Sequence, residues 1–129
     1  MSVSKSRSRR CVLVADDDRD IRRGLQLRLC TAGYTVVEAK NGREALELAR
    51  RNRPDVILMD IRMPELDGLT AMKRLQEAPE TASIPVIVMS ASLIEQDRAM
   101  DCGAVAFIGK PHNGRELMAL VDKFTGTRN

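Results

Sequence analysis

Aromatic residues are scarce in this chain. They make up 2% of its 129 residues, with one tyrosine, two phenylalanines and no tryptophan. Single-stranded nucleic acids are commonly bound by stacking their bases on aromatic side chains that alternate with basic ones. We therefore expect no nucleic-acid partner of that kind. The sequence also has no apolar run of membrane-spanning length, and its 43% hydrophobic and 30% charged residues predict a soluble globular protein without a membrane partner.

Cysteine is rare, and its spacing matches no known framework. Cys11, Cys30 and Cys102 are an odd number and form neither a C-x-x-C pair nor a cysteine–histidine pattern. Disulfide and zinc sites are therefore both poorly supported. Free thiols are typical of a reducing compartment, so we expect a cytoplasmic location. Neither G-x-x-x-x-G-K-[ST] nor G-x-G-x-x-G occurs, and a nucleotide site is unsupported.

The length is that of one domain with a single core. Residues 1–10 carry basic residues among serines, and no hydrophobic segment follows, so this is no signal peptide. We expect a disordered, solvated tail there, with a tethering arm for nucleic acid or an acidic partner as the alternative. The domain is expected over residues 11–125, and a short tail over residues 126–129. The formal net charge of +3 is small.

Five short apolar segments alternate with five capped, amphipathic segments. The expected strands cover residues 11–15, 34–39, 56–60, 84–90 and 105–108. The expected helix N-caps are Asp18 or Asp20, Asn41, Asp67, Ser92 and Asn113. The connections are too long for hairpins and the strands are apolar throughout, which indicates a parallel sheet covered on both faces. The predicted fold class is a doubly wound α/β sandwich in a single domain.

One helix start fits a specific motif. Ser92-Leu93-Ile94-Glu95 is an S-x-x-E capping box, in which the serine side chain and the glutamate side chain each bond the other residue's backbone amide. We therefore expect Ser92 to cap a short helix that runs toward Cys102 and ends at Gly103.

Polar residues stand where the predicted strands end. They are Asp16, Asp17, Asp60, Ser90 and Lys110. In doubly wound sheets the ligand site lies outside the carboxyl ends of the strands. Three carboxylates gathered there would repel one another, and a hard divalent cation such as Mg²⁺ relieves that repulsion. The sequence thus predicts a magnesium site at this edge of the sheet.

With a metal present, a carboxylate can attack a phosphoryl group and form an aspartyl phosphate. Lys110 can supply positive charge and Ser90 a hydroxyl donor to the phosphoryl oxygens. Each residue taken alone also fits a structural role, since an aspartate after a strand is often a cap, a lysine before proline is often solvated, and a serine often stands in a turn. Their coincidence at the ends of separate strands favours a shared site.

Four segments resemble the response-regulator receiver domain, the phospho-acceptor module of two-component signalling. They are V-L-V-A-D-D-D at the first strand, V-I-L-M-D-I-R-M-P-E-L-D-G at the third, V-I-V-M-S-A at the fourth and G-A-V-A-F-I-G-K-P at the fifth. The resemblance covers nearly all of residues 11–124. It implies a flavodoxin-like sheet of strand order 2-1-3-4-5 with five helices.

The resemblance also implies the chemistry of the site. Asp60 would be the phosphorylated aspartate. Asp16 and Asp17 would join it in binding Mg²⁺, for which Mn²⁺ can substitute, with the backbone carbonyl of Arg62 as a further ligand. Lys110 would be the phosphate-binding lysine.

Further positions correspond to the family's switch and to its control of phosphate loss. Ser90 would be the switch hydroxyl and Phe107 the switch aromatic, although periodicity alone equally fits Phe107 as a core residue. Arg62 and Ser92 match positions that tune dephosphorylation. A long cation at Arg62 would cover the phosphoryl group and exclude water, so we hypothesise a long-lived phosphoform. His112 departs from the family pattern, and we assign it no role.

The resemblance implies two kinds of partner. A histidine kinase or histidine phosphotransfer protein would donate phosphate, and a downstream protein would bind the face made by the fourth helix, fifth strand and fifth helix. The chain would catalyse only its own phosphorylation and dephosphorylation, so we do not expect an enzyme. Because only residues 125–129 follow the last helix, we expect a stand-alone receiver acting through protein contacts. The alternatives are a phosphate sink or shuttle, or a segment of a larger regulator or hybrid kinase.

Two other functions fit the sequence less well than a receiver does. A Mg²⁺-dependent phosphohydrolase would show D-x-D-x-[TV], but Asp60 is followed by Ile61-Arg62-Met63. A phosphorylation-independent scaffold would hold three carboxylates together at a cost in stability and without a use for them.

Overall fold

A computed structural model describes residues 10–110 and 113–126 of the chain. Its strands are β1 (Cys11–Ala15), β2 (Thr35–Ala39), β3 (Val56–Asp60), β4 (Val86–Ser90) and β5 (Ala106–Gly109). All neighbouring pairs are parallel, in the order β2-β1-β3-β4-β5. The predicted doubly wound sheet and its strand order are confirmed.

Five α-helices connect the strands and follow the last one. They are α1 (Arg19–Thr31), α2 (Gly42–Asn52), α3 (Gly68–Glu77), α4 (Gln96–Asp101) and α5 (Gly114–Thr125). None of those helices, within the described residues, has the length and apolar character needed to cross a bilayer. The predicted tails, except for residues 10 and 126, and His112 lie outside the described residues, so the predicted domain limits stay predictions.

Four of the five predicted N-caps are observed. Asp18, Asn41, Asp67 and Asn113 each accept hydrogen bonds from backbone N–H groups in the first turn of α1, α2, α3 and α5, at 2.8 to 3.3 Å. Each cap satisfies amides that the helix itself leaves without partners. The short polar residues that follow the strands therefore start the helices.

The predicted Ser92 capping box is wrong. In the described structure the Ser92 side chain makes no capping hydrogen bond, and a 3₁₀ turn (Leu93–Glu95) precedes α4. The Glu95 carboxylate instead accepts a hydrogen bond from the Ser90 hydroxyl at 2.7 Å. The physical reason is burial: Ser90 is only 2% exposed, and a buried hydroxyl requires a partner. It draws Glu95 inward, away from the amide of Ser92.

Alternate residues of the strands enter two separate cores. One face of the sheet packs under α2, α3 and α4 through buried residues that include Leu13, Ile57, Met59, Val88, Leu46, Leu75 and Ala99. The other face packs under α1 and α5 through Val12, Val14, Leu58, Ile87, Leu25, Leu29, Leu117 and Val121. Every residue of β3 and β4 is buried. The continuous apolar runs in the sequence thus reflect strands covered on both faces.

Two glycines fix the loop that follows β3. A Cβ on Gly68 would lie 2.1 Å from the carbonyl oxygen of Asp60, and one on Gly42 would lie 2.0 Å from that of Leu66. The N–H of Gly68 donates to the Ile61 carbonyl at 2.8 Å, and that of Gly42 to Leu66 at 3.0 Å. The starts of α2 and α3 therefore hold this loop by contacts that only glycine allows.

We expect Gly68→Ala to lower the free energy of unfolding by about 2 kcal/mol or more, because the added methyl group meets backbone that cannot move without displacing Asp60. Gly24→Ala is the matched control, since a Cβ there, in the exposed middle of α1, meets nothing within 4 Å. It should instead raise that free energy by about 0.5–1 kcal/mol. Urea denaturation measures both. A Gly68→Ala protein as stable as wild type would contradict the close approach.

Candidate functional site

Three carboxylates meet at the carboxyl ends of β1 and β3. Asp16 and Asp17 directly follow β1, and Asp60 ends the neighbouring strand β3. One carboxylate oxygen from each lies within 4.8 Å of the others. Asp16 is fully buried and Asp60 is 6% exposed, whereas Asp17 is exposed. The structure therefore brings together the three aspartates that the sequence singled out.

Lys110, which follows β5, bridges two of these carboxylates. Its ammonium nitrogen lies 2.7 Å from Oδ2 of Asp16 and 3.4 Å from Oδ1 of Asp60. The other oxygen of Asp16 accepts the backbone N–H of Asp18 at 2.9 Å. One partly buried cation thus offsets part of the repulsion among three anions, and the site keeps an excess of negative charge.

Burial and neighbouring charges shift the pKa values of Asp60 and Lys110. The pKa of Asp60 is raised to about 6, first because the carboxyl is buried and next because Asp16 is close, while Lys110 opposes the rise. Burial alone would lower the pKa of Lys110, but its hydrogen bond to Asp16 and the nearby Asp60 charge raise it overall. Lys110 therefore stays charged, and the Asp60 carboxylate is held as an anion in surroundings that disfavour it.

The donor set of the site consists of oxygen atoms. Carboxylate oxygens within a few ångströms of one another are the ligands that hard divalent cations prefer, and Asp17 presents its carboxylate to solvent. The residues present therefore fit a divalent cation. A cleft of about 810 Å³ opens beside the cluster between the start of α3 and α4, and Asp17, Arg62 and Glu95 are among its lining residues.

Ser90 lies at the end of β4 and is joined to the site through the backbone, because its carbonyl accepts the N–H of Lys110 at 2.8 Å. Its hydroxyl, however, donates to Oε1 of Glu95 at 2.7 Å and accepts the N–H of Ser92 at 3.1 Å. Oε2 of Glu95 in turn lies 3.5 Å from Nη2 of Arg62. The side chains of Ser90 and Arg62 thus meet the same carboxylate.

Glu95 is the residue of this region that sequence reasoning missed. Its spacing from Ser92 fits a helix cap, and that pattern gives no sign of a contact with the buried hydroxyl five positions earlier. The opposite charge of Arg62, two residues after Asp60, was the one available signal. It could not be interpreted without knowing that the loops after β3 and β4 are neighbours.

Phe107 lies on β5 opposite Val88 of β4 and is partly buried against the core under α2, α3 and α4. This position fits a core residue as well as a switch, so its switch role stays a prediction. Ser92 is partly buried, and the Arg62 side chain is 74% exposed.

Comparison with known families decides what kind of domain carries this site. The family model for the response regulator receiver domain matches residues 12–122. The chain belongs to that family. Its acidic cluster is accordingly the pocket of a receiver domain, consistent with aspartate phosphorylation and Mg²⁺ binding, and the predicted role in two-component signalling is confirmed.

Curated relatives of this receiver domain are longer proteins. It is 39% identical over 108 residues to the response regulator MprA of Mycolicibacterium vanbaalenii, covering 84% of the chain and 47% of that relative. It is 46% identical over 116 residues to a protein-glutamate methylesterase/protein-glutamine glutaminase of Archaeoglobus fulgidus, covering 86% of the chain and 31% of that enzyme. The chain thus spans about half the length of MprA and less of the enzyme.

A solved structure is similar over nearly the whole domain. The receiver domain of sensor histidine kinase PA1611 from Pseudomonas aeruginosa PAO1, solved with a magnesium ion coordinated in the active-site cleft, superposes with a TM-score of 0.85. It is 28% identical and covers 92% of this chain and 98% of that one. Receiver domains in general accept phosphoryl groups and interact with kinases and effectors rather than act as enzymes. In the methylesterase relative, a domain of this kind belongs to an enzyme.

The raised pKa of Asp60 predicts a pH-dependent loss of stability. As pH rises from the ordinary carboxyl pKa of 3.8 to about 6, the unfolded chain releases this proton before the folded protein does. The free energy of unfolding should therefore fall through that window. Asp60→Asn removes this titration. The free energy of unfolding of the variant minus that of wild type should therefore increase by about 2 kcal/mol between pH 4 and pH 7 in metal-free buffer. Urea denaturation at several pH values measures this. A difference that stays constant would contradict the shift.

Proposed function

We propose that Asp60 is the phospho-acceptor of this receiver domain. The observation that carries the proposal is the convergence of a buried Asp60 carboxylate, two further aspartates and the Lys110 ammonium at one end of the sheet. The phosphoryl donor is a phosphohistidine on a kinase or a histidine phosphotransfer protein. A carboxylate oxygen of Asp60 attacks the phosphorus, the phosphorus–nitrogen bond breaks, and its electron pair stays on the donor histidine.

Asp16, Asp17, Asp60 and the backbone carbonyl of Arg62 would hold Mg²⁺, with Mn²⁺ as a substitute. The ion supplies positive charge that offsets the repulsion between the carboxylates and an incoming phosphoryl group. The oxygen donors and the exposed position of Asp17 support this assignment. The Arg62 peptide follows β3 in the loop that Gly42 and Gly68 hold, which supports a fixed position for its carbonyl.

Lys110 and Ser90 would bind the new phosphoryl oxygens. The Lys110 ammonium, 3.4 Å from Asp60 Oδ1, is positioned to stabilise negative charge that develops on that side of the transfer. The Ser90 hydroxyl would turn toward the phosphoryl group, and Phe107 would move into the space beside it. The face made by α4, β5 and α5 would change and bind a downstream protein. Exposed Leu93, Ile94 and Val105 at or beside this face support such a contact.

The family allows three wider settings for this domain. We infer a cytoplasmic receiver domain that spans residues 11–125. It passes its signal to a protein target or acts as a phosphate sink or shuttle in a phosphorelay. A third setting is a larger regulator or hybrid kinase, which the longer relatives favour.

Arg62 and Ser92 would control how long the phosphoryl group lasts. The Arg62 guanidinium reaches from the loop after β3 to Glu95 on the turn after β4, and is 74% exposed. A side chain that spans the two loops in this way can restrict the approach of water to Asp60. Ser92 is partly buried, and its N–H donates to the Ser90 hydroxyl, which in turn donates to Glu95.

Arg62→Ala should therefore shorten the lifetime of the phosphorylated protein several-fold, since water gains access to the phosphoryl group. The measurement is the decay of phosphorylated protein after removal of the donor. Arg43→Ala is the control, because Arg43 is also an exposed arginine with an acidic partner, Glu65, at 2.9 Å. An unchanged lifetime for Arg62→Ala, or equal shortening in both variants, would contradict this role.

Phosphorylation itself is tested with a small donor. Incubation with acetyl phosphate and Mg²⁺ should add one phosphoryl group to wild type, detected by intact mass, and none to Asp60→Asn. Asp67→Asn is the matched control, since Asp67 lies in the loop that follows Asp60 and asparagine also caps helices well. It should be labelled like wild type.

Replacing Mg²⁺ by a chelator should abolish the labelling of wild type. Labelling of Asp60→Asn to the wild-type level would disprove the acceptor assignment. Labelling without a divalent cation would disprove the metal assignment.

A further inference from the structure

The hydroxyl of Ser90 is already engaged in the unphosphorylated protein. It donates to the carboxylate of Glu95 at 2.7 Å, while the N–H of Ser92 donates to it at 3.1 Å. A serine hydroxyl has a single proton to donate. The hydroxyl therefore cannot bind Glu95 and a phosphoryl oxygen on Asp60 at the same time.

The bond between Ser90 and Glu95 is largely shielded from solvent. Ser90 is 2% exposed, and the side chain of Glu95 is 13% exposed. A hydrogen bond from a hydroxyl to an ionised carboxylate is stronger than one between neutral groups, and more so where water is excluded. The Arg62 guanidinium, which is 3.5 Å from Glu95 and mostly exposed, adds little to it.

We propose that Glu95 is a positioning residue that holds the Ser90 hydroxyl in its resting orientation, so that phosphorylation of Asp60 must displace it. This inference rests on the proposed roles of Asp60 and Ser90. Glu95 and the phosphoryl group are competing acceptors for one proton, and the bond to Glu95 stabilises only the inactive state. Its strength therefore sets how far a phosphoryl group shifts the domain toward its active state.

The competition also affects the position of the turn that contains Glu95. Glu95 ends the 3₁₀ turn that carries Leu93 and Ile94, whose side chains are 69% and 86% exposed. While this hydrogen bond exists, it holds the 3₁₀ turn against the end of β4. When the Ser90 hydroxyl rotates toward the phosphoryl group, the hydrogen bond breaks, and the two exposed apolar side chains are free to take a new position.

The test is the affinity of the domain for beryllofluoride, a phosphoryl mimic, in the presence of Mg²⁺. Because the bond opposes the bound state, Glu95→Ala should bind about tenfold more tightly than wild type. Glu95→Gln, which keeps a neutral acceptor of the same size, should show a smaller gain. Asp97→Ala is the control, since Asp97 is an exposed acid two residues further along, and its affinity should not change.

A second comparison separates the hydrogen bond from simple charge removal. In a Ser90→Ala background there is no hydroxyl to hold, so adding Glu95→Ala should leave the affinity unchanged. The same tenfold gain in that background would mean that Glu95 acts only by repelling the anion, and would overturn the proposal. Unchanged or weaker binding by both Glu95 variants would also overturn it. Failure of wild type to bind beryllofluoride would instead disprove the proposed function itself.

Discussion

The repulsion among three aspartates is the constraint to which the rest of this receiver domain responds. Parallel pairing of β1 with β3 places Asp16 and Asp17 beside Asp60, and burial of Asp16 and Asp60 removes most of the water that would screen those two charges. The fold meets this cost in part with Lys110, whose ammonium nitrogen contacts two of the carboxylates. The remaining negative charge fits the site to a divalent cation.

Holding such a cluster in place requires rigid support, and the two cores provide it. Every residue of β3 is buried between helices on both faces, so the strand cannot shift to let its terminal carboxylate escape. The loop beyond it is fixed in turn by Gly68 and Gly42. The packing of the two cores thus holds together three carboxylates that would otherwise repel one another and separate.

Most of this architecture could be predicted because its causes are local. Apolar runs of strand length and short polar caps such as Asn41 and Asp67 can be interpreted from the few residues around them. The aspartates of the site stand at the ends of strands, and those ends must meet in a parallel sheet. The Glu95 interaction could not be predicted in the same way. Its local pattern favoured a helix cap, and a buried hydroxyl outside that pattern, Ser90, competed successfully for the same carboxylate. Contacts between different loops have no periodic signature.

The close contact between Gly42 and the carbonyl of Leu66 has a consequence for how this domain can vary. It joins the start of α2 to the loop that follows the proposed acceptor. Helix α2 lies away from the face expected to bind a target. A sequence change at this Gly42–Leu66 contact would therefore act on the loop beside the proposed acceptor and leave that face untouched, so that the site and the binding face can diverge independently in evolution.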